Sequence, residues 1–249
     1  MRVQRRADRA VSAGGGIASR HALSFGVHYD PSRTAVGALV AHNDDVLEPG
    51  AAYGAHEHRD VEILTWVLSG AMRHRGPDGR ADVVGPGELQ HLAAGTGWHH
   101  DEECAGDEPV HLLQLWITPG LDDPPPGPPA RTQVEVSPAA GRPVLAAGGG
   151  DALVPLRRSG VELVVARLDA GQRWEVAGTH AAARHVHVAR GAVEQVGGEL
   201  GGVDDGVGAL GVGGLGAGDA LEATGPGALT LTAGPEGAEV LVVTTAAPR

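Results

Sequence analysis

Apolar residues in this chain fall in short runs separated by glycine, proline and acidic turn residues. VEILTWVL at Val61–Leu68, VHLLQLWI at Val110–Ile117 and VELVVARL at Val161–Leu168 are each eight residues long and rich in branched side chains, which reads as buried strand. Shorter strands are predicted at Thr34–Val40, Met72–Arg75, Glu88–Ala93 and His185–Ala189, and again in GALTLTAG and AEVLVVTTA near the C-terminus. Gly70 and Arg190-Gly191 close two of these runs, and Gly171–Trp174 resembles a turn leading into another. Tyr29-Asp30-Pro31, Asn43-Asp44-Asp45, Pro77–Gly79 and Gly85-Pro86-Gly87 have the composition of turns. From Val196 to Gly218 glycine is dense but apolar residues recur, predicting hairpins with many turns.

GLDDPPPGPPARTQ interrupts the pattern. Three consecutive prolines and two more nearby cannot enter a sheet interior and form a semi-rigid connector. A domain boundary is therefore expected near residue 130, giving two similar all-β halves, 1–130 and 131–249.

The length, 249 residues, allows one large or two ordinary domains. Forty glycines and 17 prolines favour short strands over long helices. With 31 acidic residues against 19 basic ones, for a formal charge of −12, the chain lacks the concentrated positive surface that nucleic-acid binding requires. A single cysteine, Cys104, excludes an internal disulfide framework and fits a reducing compartment. The segment MRVQRRADRAVSAGGG is basic without an apolar core, so it does not read as a secretory signal, and no run of 18 apolar residues predicts a membrane span. A soluble cytoplasmic protein is expected.

Chemistry concentrates in two pairs, His56 with His58 and His100 with Glu102. On a strand, side chains at i and i+2 share a face about 6.6 Å apart, and neighbouring strands lie about 4.8 Å apart. Two such pairs can surround one ion with three imidazoles and a carboxylate, a set suited to Fe, Mn, Co, Ni, Cu or Zn, with no thiolate to demand a softer site. His99 competes with His100 for this role. Alternation favours His100, which shares a face with Glu102, while His99 shares one with Asp101; His99 is left as a group beside the site or an exposed one. The same motif recurs as His185-Val186-His187, but no His-x-Glu follows it. Trp98 precedes the ligand strand and can wall a cavity, and Gln114 lies on a strand able to face it. His21, His28 and His74 have no partner in sequence and read as structural.

GAAYGAHEHRDVEILTWVLSG, residues 50–70, resembles the first cupin motif: Gly50, five residues, His56-x-His58, three residues, Glu62, with the closing Gly70 one residue late. GPGELQHLAAGTGWHHDEEC, residues 85–104, resembles the second motif of the pirin branch of the cupins, in which Ala94-Gly95-Thr96-Gly97 is followed after two residues by His100-x-Glu102. SFGVHYDPSR, HNDDVLEPG and HLLQLWI are similar to flanking segments of that family, in its bacterial pirin-like or quercetinase-like branch. The resemblance covers roughly residues 20–120.

It implies a bicupin: two jelly-roll β-barrels in tandem, the first binding metal and the second metal-free. It assigns His56, His58, His100 and Glu102 as ligands, most often of Fe(II), and leaves Glu62 as a structural or supporting residue. By resemblance the activity is a quercetin 2,3-dioxygenase: the flavonol 3-hydroxyl meets the metal, Glu102 accepts its proton as general base, dioxygen attacks, and carbon monoxide leaves as the heterocycle opens. The substrate is then a flavonol or similar enol. A second implied reading is non-enzymatic, an iron-containing regulatory protein whose metal state tunes binding to a partner protein. A third is a metal-dependent isomerase, since fold does not fix function. Two cupin halves in one chain make a monomer plausible.

Overall fold

The computed structural model describes residues 1–138, 141–176, 181–198 and 213–246. Among them the only helical element is one 3-10 turn at Arg6–Asp8, and no helix is long and apolar enough to cross a membrane. The glycine-rich stretch read as hairpins lies largely outside the described residues. The chain forms two compact units, one of Arg9–Val136 with Leu153–Ser159, the other of Met1–Asp8, Ser137–Ala152 and Gly160–Arg249.

Strands β1 to β12 are Arg2–Gln4, Ala10–Gly14, Ile17–His21, Leu39–Leu47, His56–His58, Glu62–Ser69, Met72–Arg75, Ala81–Val84, Glu88–Ala93, Trp98–Cys104, Val110–Ile117 and Ala130–Glu135. The first unit is built from two sheets. The larger runs β12-β9-β6-β11-β4-β3-β2 and the smaller runs β5-β10-β7-β8. The strand pairs for which registers are resolved are antiparallel, so each strand presents alternate residues to the interior.

That alternation sorts the interior along its length. One end is apolar, where Leu47, Val67, Met72, Val84, Cys104, Val110 and Leu112 pack together. Two residues further along the same rows the side chains turn polar: Asp45 before Leu47, His74 after Met72, Glu102 before Cys104 and Gln114 after Leu112. Cys104 is buried in the apolar end, its thiol donating to the Glu108 carbonyl at 3.2 Å.

Several elements differ from expectation. The strand placed at Thr34–Val40 is instead β4, Leu39–Leu47, and it includes the Asn43-Asp44-Asp45 run read as a turn. The reason is tertiary: β11 and β3 flank β4 and take its backbone hydrogen bonds, while the polar side chains find buried partners, such as His21 Nδ1 for Asn43 at 2.9 Å and His111 for Asp44 at 2.6 Å. Residues 10–21 form a hairpin, β2–β3, turning at Gly15-Gly16 with φ of 59° and 80°, the backbone that a two-residue hairpin loop needs.

In the second unit the described strands Ala220–Thr224, Ala181–Gly198, Leu229–Ala246, Val161–Leu168 and Val144–Gly148 pair in that order, and β1 adds to the edge at Ala220–Glu222. GALTLTAG and AEVLVVTTA are one continuous strand, and the strand through His185 does not stop at Gly191; register shifts after Val188 and Gly191 let it bend and continue. His185 and His187 are buried there, either side of Val186, which belongs to the core with Val188, Leu221, Val240 and Val242. Both units are built from antiparallel β-strands, so the described residues form an all-β protein of two units.

Gly70 ends β6 with φ of 69°, and a Cβ there would strike the Pro109 carbonyl and lie 2.8 Å from Val110 Cα. Gly70→Ala is therefore expected to lower stability by at least about 1–2 kcal/mol, read as an earlier urea midpoint at unchanged slope.

Candidate metal centre

The short strand β5 pairs antiparallel with β10 so that His56 lies opposite His100 and Trp98 opposite His58. This register stacks three imidazoles on the inner face. Ring centroids are 4.7 Å apart for His56–His58, 4.4 Å for His56–His100 and 5.1 Å for His58–His100. One ring nitrogen from each lies within 4.8 Å of the others. On the other side of β10, Glu102 pairs with His74 of β7, and His74, His100 and Glu102 form an overlapping cluster of the same compactness. Three of the side chains named from sequence, His56, His58 and His100, share the first cluster, and Glu102 joins His100 and His74 in the second, so His100 is the link between them.

Hydrogen bonds distinguish the members. His56 Nδ1 donates to the Gly54 carbonyl at 2.8 Å, which leaves its Nε2 lone pair bare. His100 Nε2 is buried and has no hydrogen-bond partner. His74 is occupied at both nitrogens. Trp98 Nε1 donates to its Nε2 at 3.3 Å, and because an indole N–H only donates, the proton of His74 sits on Nδ1, facing Glu102 Oε1 at 3.1 Å.

Glu102 is 2 % exposed. It accepts from His74 and from Gln90 Nε2 (3.3 Å) on Oε1, and from Gln114 Nε2 (2.7 Å) on Oε2. Burial pushes its carboxyl up, but the His74 bond, electrostatic interaction with His100 and His74, and the Gln114 bond outweigh that and hold it below the usual carboxylate range. A carboxylate offers about four lone-pair sites; three are filled, and one remains for a cation or a proton. Burial, reinforced by the crowding of imidazoles and opposed by Glu102, drives His58 down to about 4 and His100 down to about 3. Both are neutral near pH 7, as nitrogen ligands must be. The bare Nε2 of His56, the unpartnered Nε2 of His100 and an ionised carboxylate are donor types that suit a divalent transition metal.

The cluster opens on a cavity of about 200 Å³ that His56, His58, Glu102 and Gln114 line together with Phe25, Tyr53, Trp116 and the polar residues Ser19, Asn43 and Asp45. Trp116 sits edge-on to His58 at 4.8 Å and to Phe25 at 5.3 Å. Gln114 therefore lies where the sequence placed it. Trp98 does not wall this cavity; it backs the cluster through His74. His99 is exposed and pairs with Glu57 on the outer face, because one step along a strand reverses the side chain. Glu62 is also remote from the imidazoles. It accepts from the backbone N–H groups of Arg157 and Arg158, both at 3.0 Å, and from His91 Nε2 at 3.0 Å, so it anchors the segment Leu153–Ser159. His74, Gln90, Tyr53 and Asp45 are the site residues that sequence reasoning missed. For His74 a signal existed: its strand was predicted, and alternation from the apolar Met72 places it on the inner face.

Residues 4–117 match the family model described as Pirin. This part of the chain is therefore similar to a pirin domain. A putative quercetin 2,3-dioxygenase of Mycobacterium tuberculosis is 48 % identical over 118 residues, 47 % of this chain and 48 % of that protein. The quercetin 2,3-dioxygenase of Escherichia coli is 42 % identical over 113 residues, 45 % of this chain and 49 % of the relative. The matched stretch spans about half the length of these curated relatives. Among solved structures, the bacterial pirin YhhW of E. coli in complex with nickel(II) aligns over 99 % of both chains at 27 % identity and a TM-score of 0.83. An oxalate decarboxylase of Lactobacillus farciminis, 14 % identical with a TM-score of 0.69 over 98 % of this chain and 86 % of its own, shares the fold.

The shifted groups around the histidine cluster set a pH response for metal-free protein. Below the ordinary histidine value of 6.5 the unfolded chain protonates His58 and His100, whereas the fold refuses those protons until about pH 4 and about pH 3. The unfolded state binds more protons, so these groups make stability fall as pH falls; His21, also pushed down by burial, adds the same sign. Asp45, raised by burial from 3.8 to about 6, opposes them, since the fold retains a proton the unfolded chain releases. Histidines outnumber it, so the thermal midpoint of chelator-stripped protein is expected to drop between pH 6.5 and 4.5. A His58→Asn/His100→Asn double substitution should flatten that slope.

Proposed function

We propose that the pirin-like domain holds one divalent transition metal, most readily Fe(II), through His56, His58, His100 and Glu102, and catalyses dioxygen-dependent opening of a flavonol such as quercetin. The observation that carries this reading is the buried, unpartnered Nε2 of His100 beside the bare Nε2 of His56 and an ionised Glu102 with one open acceptor site. His74 stays outside the ligand set because Trp98 and Glu102 engage both its nitrogens. The names of the matching relatives support the flavonol and dioxygen, and the nickel complex of YhhW supports a divalent ion.

When bound, the ion supplies Lewis acidity towards an enol oxygen and, as iron, redox capacity towards dioxygen. The protein supplies the rest. Glu102, ionised at neutral pH, accepts the proton of the flavonol 3-hydroxyl as general base, which raises electron density in the heterocycle. Hydrogen bonds from His74 and Gln90 to Oε1 and from Gln114 to Oε2 keep the carboxylate from rotating. Trp116 and Phe25 provide flat apolar walls against which an aromatic ring can lie. The reaction opens the heterocycle with loss of carbon monoxide.

Fe(II)-loaded protein mixed anaerobically with quercetin is expected to lose the flavonol absorbance when air is admitted. Glu102→Ala should abolish that loss. His56→Ala should weaken metal retention by about 100-fold or more, judged against the 10–100-fold cost of removing mere supporting residues, as read by elemental analysis after dialysis. Retention of stoichiometric metal with no consumption of any flavonol, catechol or enol would reject the enzymatic reading.

A further inference from the structure

Opposite the imidazoles, the cavity has a polar wall that the chemistry above does not use. Strand β4 presents Asn43, Asp45 and Leu47 inward. Leu47 belongs to the apolar end and Asn43 is satisfied by His21. Asp45 is 1 % exposed; its Oδ2 accepts the Tyr53 hydroxyl proton at 2.6 Å, while its Oδ1 has no hydrogen-bond partner. A carboxylate oxygen left without a donor in the interior is costly; besides the Ser19 hydroxyl, Asp45 is held by a short bond from a tyrosine that lines the cavity. Tyr53 is in turn tied to the centre by its backbone, whose N–H donates to the Glu102 carbonyl at 2.9 Å. With its proton committed to Asp45, Tyr53 Oη can only accept, and a donor bonded to a carboxylate is a stronger acceptor in turn. The cavity, about 200 Å³, is below the roughly 300–1,000 Å³ that enclose a drug-sized ligand, so a ring-sized part of a ligand enters.

We propose that Tyr53 is a recognition residue, pinned by Asp45: its Oη accepts a hydrogen bond from a hydroxyl on the entering ring, so the protein selects phenolic ligands that carry a donor beyond the enol directed at Glu102. This deepens the flavonol reading and rests on it. Asp45 acts through Tyr53, as a positioning residue that removes the freedom of the phenol proton.

The test uses anaerobic calorimetry on metal-loaded protein with two probes, quercetin and 3-hydroxyflavone, which keeps the enol and lacks the other hydroxyls. Wild-type protein is expected to bind quercetin about three- to tenfold more tightly, the size of one hydrogen bond. Tyr53→Phe should erase that preference while leaving 3-hydroxyflavone affinity within about twofold, and Asp45→Asn should give an intermediate ratio. Should Tyr53→Phe be destabilised by the stranded carboxylate, Tyr53→Phe/Asp45→Leu removes both partners and should show the same collapse. Equal affinity for the two probes in wild type, a preference that survives Tyr53→Phe, or equal weakening of both probes overturns the proposal. A preference that behaves as expected without any oxygen uptake on aeration supports the recognition role and counts only against the reaction.

Discussion

A fully buried carboxylate with three donors sets the terms for this barrel. Removing an ionised group from water is costly unless its lone pairs are met by donors, and Glu102 meets His74, Gln90 and Gln114 from β7, β9 and β11. Those strands belong to both sheets. The bonds therefore hold the sheets in one register as well as fixing the acid. A slip of one residue along β10 would replace Glu102 by Asp101 or Glu103 on the inner face and lose all three contacts at once.

The imidazoles follow from the same arrangement. His100 lies two residues before Glu102, and the pairing of β10 with β5 brings His56 and His58 over it. Burial, with the close packing of the rings, disfavours the charged forms of His58 and His100, so both stay neutral near pH 7. The features that make the centre an awkward element of a metal-free fold are the features a cation would satisfy.

Beyond the centre, supporting groups differ in what they restrain. Trp98 fixes the tautomer of His74, which fixes one oxygen of Glu102. Arg131 reaches Gln90 Oε1 at 3.4 Å, which turns the amide so that its nitrogen faces Glu102. On the opposite wall Asp45 orients Tyr53. The apolar cluster from Leu47 to Leu112, at the other end of the same rows, contains none of this polar machinery.

The amino-acid sequence alone determined the strand content, the two His-x-His and His-x-Glu pairs, and the face each residue takes, because side-chain direction on a strand alternates with a period of two and can be counted along the chain. It also separated His100 from His99. It did not reveal which strands become neighbours, so His74 read as structural until β7 paired with β10, and Glu62, left as a structural or supporting residue, had no named partners until the fold brought it to Arg157 and Arg158. The run at Asn43–Asp45 misled for the same reason: polar residues predict a turn when judged locally, whereas here strands on both sides and buried side-chain partners stabilise them as the wall of a cavity. Pairing between distant segments is settled by the summed hydrogen bonding and packing of the closed barrel, and that sum is a property of the tertiary structure.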